Sequence, residues 1–154
     1  MHAIRTARRT DVEHASLGEL NCIAHVSIER ALRMEKPRRV LMWDPRNDYP
    51  DLAPLCSTLG QVVDVFAKAR GGPARARYAF DDKVPRDEAF ALLCKLAMRA
   101  RDLTLVVEEL SDVTRASWAP QPWLQCITQG RHAGLRIKAA TQRPALTDKT
   151  ILAN

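Results

Sequence analysis

The sequence holds no apolar run near the roughly 18 residues that a membrane-spanning helix needs, and no signal-peptide pattern opens it. Its first nine residues, Met1 to Arg9, are basic but lack an apolar core. No pair among the four cysteines, Cys22, Cys56, Cys94 and Cys126, has C-x-x-C spacing, and His132 stands alone near Cys126. That scatter argues against a metal site and reads as reduced, buried thiols in a cytoplasmic protein. The patterns G-x-S-x-G, H-E-x-x-H and G-x-G-x-x-G are missing, which sets well back an unrelated hydrolase of doubly wound form. Internal repeats and low-complexity segments are also absent.

What is present suits one domain. The chain has 154 residues, of which 46% are hydrophobic, enough for a real core. The net charge of +6 favours a polyanionic partner such as DNA or RNA.

Taken in order, the chain alternates helical and extended patterns. Ala24, Ile28, Ala31 and Leu32 share a helical face that Lys36-Pro37 stops. Arg38–Asp44 is a short strand ending in the turn cluster Asp44-Pro45 and Asn47-Asp48-Tyr49-Pro50. Leu52, Leu55, Cys56 and Leu59 predict a helix closed by Gly60, with a strand over Gln61–Phe66. Arg75–Phe80 alternates as a strand. Pro85 suits the start of a helix, with Asp87 and Glu88 in its first turn and an apolar stripe through Phe90, Leu93, Cys94, Ala97 and Met98. Trp123, Ile127 and Gly130 fall at helical spacing, and Gly134 suits a C-cap. Leu135–Ala140 is a strand, and Thr147–Asn154 begins a short helix. This alternation predicts an α/β fold, a parallel sheet flanked by helices, with no linker dividing the chain.

The stretch from Leu103 to Glu109 is the centre of this pattern. Five apolar or β-branched residues run directly into Glu108 and Glu109. Such a run reads as a strand covered on both faces, with its acids at the carboxyl edge where open α/β sheets bind ligands. Asp44, Gln142 and Arg143 also fall at predicted carboxyl ends of strands. A metal-binding acid, a water-orienting acid and a Gln near a γ-phosphate form a phosphoryl-transfer set, with Asp44 and Arg143 as candidate nucleotide contacts.

Three segments occur in an order that resembles a known family: Val40-Leu-Met-Trp-Asp-Pro45, Val106-Val-Glu-Glu109, and Gly130-Arg-His-Ala-Gly-Leu-Arg-Ile-Lys-Ala-Ala-Thr-Gln-Arg-Pro144. Together they look like the HerA/FtsK branch of P-loop ATPases, which contains DNA translocases, conjugative pumps and phage packaging ATPases. The resemblance runs from about Ala24 onward and implies a RecA/FtsK-like core, ATP and Mg²⁺ as cofactors, DNA as partner and a hexameric ring. It implies that Glu108 holds Mg²⁺ through water, that Glu109 is the catalytic acid, and that Gln142 is the sensor. Arg131 falls where the family places an arginine that acts on a neighbouring subunit's phosphate. A phage-encoded or bacterial cytoplasmic protein follows. The family also adds a core strand beyond the region of Asn154, so the chain reads as a trimmed copy.

One departure is large. A P-loop needs G-x-x-x-x-G-K-[ST] so that backbone N–H groups and a lysine cradle the phosphates. Here Ser16-Leu-Gly-Glu-Leu-Asn-Cys-Ile-Ala-His-Val-Ser27 stands in its place, no Gly-Lys dipeptide occurs, and the first lysine is Lys36. Residues 1–23 therefore read as a degenerate N-terminal region. Three readings stay open: a non-hydrolysing relative, an altered N-terminus, or nucleotide bound by another arrangement. The leading expectation is a HerA/FtsK-like DNA translocation or packaging ATPase-fold protein with impaired ATP binding and hydrolysis. The alternative is a non-catalytic basic module that binds nucleic acid or caps a related ring, with Arg5, Arg8, Arg9, Arg38, Arg39, Arg75 and Arg77 on phosphates.

Overall fold

The structure, a computed structural model, describes residues 17–79 and 83–141, with side chains from Val26 onward. Among these, α1 (Leu17–Glu35) leads into β1 (Arg39–Trp43), followed by β2 (Leu55–Cys56), α2 (Leu59–Ala69) and β3 (Ala74–Tyr78). Then come α3 (Arg86–Ala100), β4 (Thr104–Val107), α4 (Gln121–Gln129) and β5 (Arg136–Ala139), with 3-10 turns at Leu110–Asp112 and Gly130–Ala133. The five strands pair in parallel in the order β2-β3-β1-β4-β5. The expected parallel α/β architecture is the observed one.

The apolar runs of β1 and β4 follow from cover on both faces. Leu41, Trp43, Leu105 and Val107 face the core beneath α2, α3 and α4. Val40, Met42 and Val106 face the other way, against Ile28 and Leu32 of α1. Phe90 of α3 sits between two indoles, 5.2 Å from the Trp43 ring and 5.5 Å from the Trp123 ring. Tilted and edge-on aromatic contacts of this kind add specificity to the area they bury. Cys56, Cys94 and Cys126 are free and buried, as the spacing implied.

Two sequence expectations fail between residues 52 and 66. The apolar spacing through Leu55 and Leu59 does not make a helix; Leu55–Cys56 is a short strand and α2 begins at Leu59. Pro54 stops any helix reaching back to Leu52. Thr58 opens the next one, its hydroxyl accepting the Gln61 N–H at 3.2 Å while the Gln61 side chain accepts the Ser57 N–H at 2.7 Å. Gly60 thus lies inside the first turn, and the expected strand over Gln61–Phe66 is helix, burying Val62 and Phe66 at i, i+4. Helix α1 starts seven residues before the expected Ala24. The expected helix at Thr147–Asn154 lies outside the described residues.

Every helix returns the chain to the amino edge of the sheet, so the strand-to-helix loops gather at the carboxyl edge. At the amino edge, Gly134 closes the second 3-10 turn at φ +71°, and an added Cβ would run into the Asp102 carboxylate. Gly134→Ala is expected to lower stability by roughly 1–3 kcal/mol, read as a lower urea midpoint at an unchanged m-value. An unchanged midpoint would show that this edge relaxes freely.

Candidate functional site at the carboxyl edge

The site begins with Asp44, the first residue past β1. Alternation along the strand turns it to the same face as Met42, and it is fully buried. A buried carboxylate needs partners. One oxygen accepts the Asp48 N–H at 2.8 Å. The other accepts the Tyr49 N–H at 3.1 Å and an Arg77 guanidinium N–H at 3.1 Å. Arg77, from neighbouring β3, also donates to the Ala53 carbonyl at 3.3 Å and to the Asn47 side chain. The loop 45–49 is thereby wound around one carboxylate, with Asn47 at φ +61°.

That winding aims two side chains at the end of β4. The Tyr49 hydroxyl donates to Glu108, which is 1% exposed. Arg46 reaches Glu109, its guanidinium 3.5 Å from the carboxylate. Burial pushes the Glu108 carboxyl up to about 8, and repulsion from Asp48, Glu109 and Asp44 adds to it, against one hydrogen bond from the Glu109 backbone. Glu109 leaves the strand in the left-handed region at φ +50°, a conformation that costs a non-glycine residue roughly 1–2 kcal/mol. The next residue returns to the sheet, with the Leu110 N–H donating to the Ala140 carbonyl at 3.0 Å.

The structure therefore gathers Asp44, Glu108 and Glu109, as expected, and brings the end of β5 beside them. Gln142 and Arg143 lie outside the described residues, just past Thr141. Arg131 is not gathered with the acids. It is exposed on the turn before β5, where the Asp102 N–H donates to the Ala133 carbonyl at 2.9 Å, at the amino edge. From Asp102 to Glu109 the chain through β4 spans up to about 23 Å at 3.3 Å per residue. Within one chain Arg131 and Glu109 do not meet.

Sequence reasoning missed Tyr49, Arg46 and the structural use of Arg77. The signal was Asp44 at the head of a turn cluster, since an Asp there captures backbone N–H groups a few residues on. The expected phosphate arginines need correction. Arg39 is buried, donating to the Gly72 and Ala100 carbonyls at 2.7 and 2.9 Å with its guanidinium over Phe66. Arg75 donates to the Pro37 carbonyl at 2.8 Å, and Arg77 holds Asp44. Of the four that are described, Arg38 alone is exposed, and Arg5, Arg8 and Arg9 lie outside the described residues.

Among the described residues neither implied cofactor meets a set of side chains arranged to hold it. Among the described residues no three His, Cys, Asp or Glu side chains are grouped to hold a metal ion. Glu108, expected to hold Mg²⁺ through water, is buried and bonded to the Tyr49 hydroxyl, while both oxygens of Asp44 are engaged. Lys36, the first lysine, follows the C-terminus of α1, and a helix of 19 residues puts it about 28 Å from the N-terminal N–H groups at 1.5 Å per residue.

Glu108 generates a test. Its carboxyl titrates near 4.5 when unfolded and near 8 when folded. Between those values the folded chain binds more protons, so this contribution to stability is complete below pH 4.5 and lost as pH rises through about 8. Glu108→Gln stays neutral and keeps an acceptor for Tyr49. It is expected to flatten the pH dependence and to raise stability above pH 8 by roughly 3–5 kcal/mol, measured by urea unfolding at pH 5 and 8.5. Identical pH dependence in both proteins would refute the neutral Glu108.

No family model and no curated protein matches the chain. Among solved structures it is similar to the genome packaging NTPase B204 from Sulfolobus turreted icosahedral virus 2 in complex with ATP-gammaS, at 17% identity and a TM-score of 0.62, over 90% of this chain and 65% of that one. The sulfate complex of the same NTPase gives 16% identity and a TM-score of 0.63, over 90% and 65%. The DNA-packaging ATPase B204 from Sulfolobus Turreted Icosahedral Virus gives 17% and 0.53, over 88% and 65%. This chain thus spans 65% of the length of the structures it matches. Identity this low speaks for the fold alone: a five-stranded parallel sheet with flanking helices, as in that packaging NTPase.

Proposed function

We propose that this chain is a DNA translocation or packaging ATPase-fold protein of HerA/FtsK-like type, impaired in ATP binding and hydrolysis. The observation that carries this reading is the pair Glu108-Glu109 ending a central parallel strand, hydrogen-bonded through Leu110 to the end of β5, from which Gln142 and Arg143 follow. The likeness to a genome packaging NTPase captured with ATP-gammaS and AMPPCP supports a nucleotide-related ancestry. In this reading Glu109 is the acid that orients or deprotonates water, and the Arg46 contact at 3.5 Å holds it away from that task. Gln142 is the sensor and Arg143 a nucleotide contact, whereas Asp44, buried with both oxygens engaged, acts only by holding the loop 45–49. Arg131, exposed at the far edge, serves a neighbouring subunit of a homo-oligomeric ring around DNA.

The impairment rests on the lysine at the wrong end of α1, the neutral Glu108 and the engaged Asp44. The same three features favour a second reading, a non-catalytic basic module that binds nucleic acid or caps a related ring.

A titration with Mg-ATP tests the first reading. Binding weaker than about 1 mM, near −4 kcal/mol, is expected, with no turnover above background and no change on Glu109→Gln. Turnover that Glu109→Gln abolishes would overturn the impairment. DNA binding indifferent to Mg-ATP and to Glu109→Gln would favour the non-catalytic module, and no DNA binding at low salt would remove both.

A further inference from the structure

The amino edge of the sheet, opposite the acids, collects cations. The four long strands lie side by side as β3-β1-β4-β5. Arg70 precedes β3, Lys36 and Arg38 precede β1, Arg101 precedes β4, and Arg131 and Arg136 stand at the start of β5. All six are exposed. The connections that carry them are laced together. The Ala74 N–H donates to the Arg38 carbonyl at 3.0 Å, and buried Arg39 ties Gly72 to Ala100. The Arg101 guanidinium donates to the His132 carbonyl at 2.8 Å. The rim is therefore one surface.

Nearby acids are few. Glu35 is paired with Lys138 at 2.8 Å, Asp51 shares a surface hollow with Arg33, Lys36 and Arg75, and Asp102 faces Gly134. Lys36, Arg38, Arg70, Arg131 and Arg136 have no ion-pair partner among the described residues.

Three of these cations stand on unfavourable backbone. Lys36, Arg70 and Arg101 directly follow α1, α2 and α3, at φ +44°, +45° and +55°. Glycine is the usual residue at such a position because it lacks a Cβ. Interaction with the helix dipole does not require it, since a cation one residue earlier serves the dipole on ordinary helical backbone. Asp102 shares this left-handed backbone at φ +46°, so the strain alone does not select the sign; the excess of exposed cations along the rim does.

We propose that the amino edge of the sheet is a nucleic-acid docking surface that contacts the phosphate backbone. This deepens the DNA-handling part of the reading above and rests on it. Neighbouring strands are about 4.8 Å apart, so the row from Arg70 to Arg136 spans about 15 Å, enough for about four phosphates at 3.4 Å rise per strand. Among the described residues no groove-reading element stands between these side chains, so their contacts with phosphate are independent of base sequence.

The test is fluorescence anisotropy of a labelled duplex oligonucleotide on the full chain across 20–200 mM salt. A slope of log K against log[salt] near −3.5 is expected for about four contacts. The double variant Lys36→Gly, Arg70→Gly removes two charges and relieves two left-handed residues. It is expected to lower the slope magnitude by about two, with a melting temperature equal to or above the parent. Arg38→Glu is expected to weaken binding further, whereas Arg115→Gln, on the opposite edge, leaves it unchanged. Full binding by the glycine variant, or an equal loss with Arg115→Gln, would overturn this surface while leaving DNA handling intact. No binding of the parent at 20 mM salt would remove the DNA reading itself. Retention on phosphatidylserine vesicles at a salt concentration that releases the oligonucleotide would assign the edge to a membrane instead.

Discussion

A buried negative charge at the end of β1 organises the carboxyl edge of this protein. Asp44 has no contact with water, so its carboxylate must be neutralised and hydrogen-bonded from within. Arg77 supplies the charge from the adjacent strand, and the chain bends back to supply two backbone N–H groups. The bend then fixes where Arg46 and Tyr49 point. Truncating Arg77 would leave an uncompensated buried carboxylate, the costly half of a broken ion pair. The position of the loop over β4 therefore depends on a contact that touches neither glutamate directly.

Two adjacent carboxyl groups acquire different characters from this arrangement. Glu108 continues the alternation of β4 into the layer beneath α1, where burial and three nearby acids favour its protonated form. Glu109 turns out of the strand in the left-handed region and meets a guanidinium instead. One residue along an extended chain reverses the face, and one break in the backbone reverses the sign of the nearest charge. The edge is acidic in composition yet closed, since its acids are bonded to the loop that covers them. The opposite edge is the reverse, with cations in excess, exposed, and three of them held on left-handed backbone.

Much of the fold was legible. Val40–Trp43 and Leu103–Val107 read as strands because a strand covered on both faces is apolar at consecutive positions, whatever its neighbours. Pro85 with Asp87 and Glu88 marked the start of α3, and Gly134 marked a chain reversal, because caps act through the local backbone. The segment from Leu52 to Phe66 was misread. Apolar spacing through Leu55 and Leu59 mimics a helical face, and the decisive marks were Pro54 and Thr58, which act on the backbone and not through hydrophobicity. The site was half legible: Glu108 and Glu109 terminate the strand where expected, but their partners lie far away in sequence.

The chain alone determined which segments extend, which coil, and which acids end β4, because periodicity and caps work over a few residues. Only the tertiary structure decided what those acids can do. Tyr49 and Glu108 are 59 positions apart, and Asp44 and Arg77 are 33 apart. Desolvation and charge act through space across neighbouring strands, so the ionisation of Glu108, the burial of Arg39 and Arg77, and the separation of acidic and basic edges follow from strand order. No spacing along the sequence encodes them.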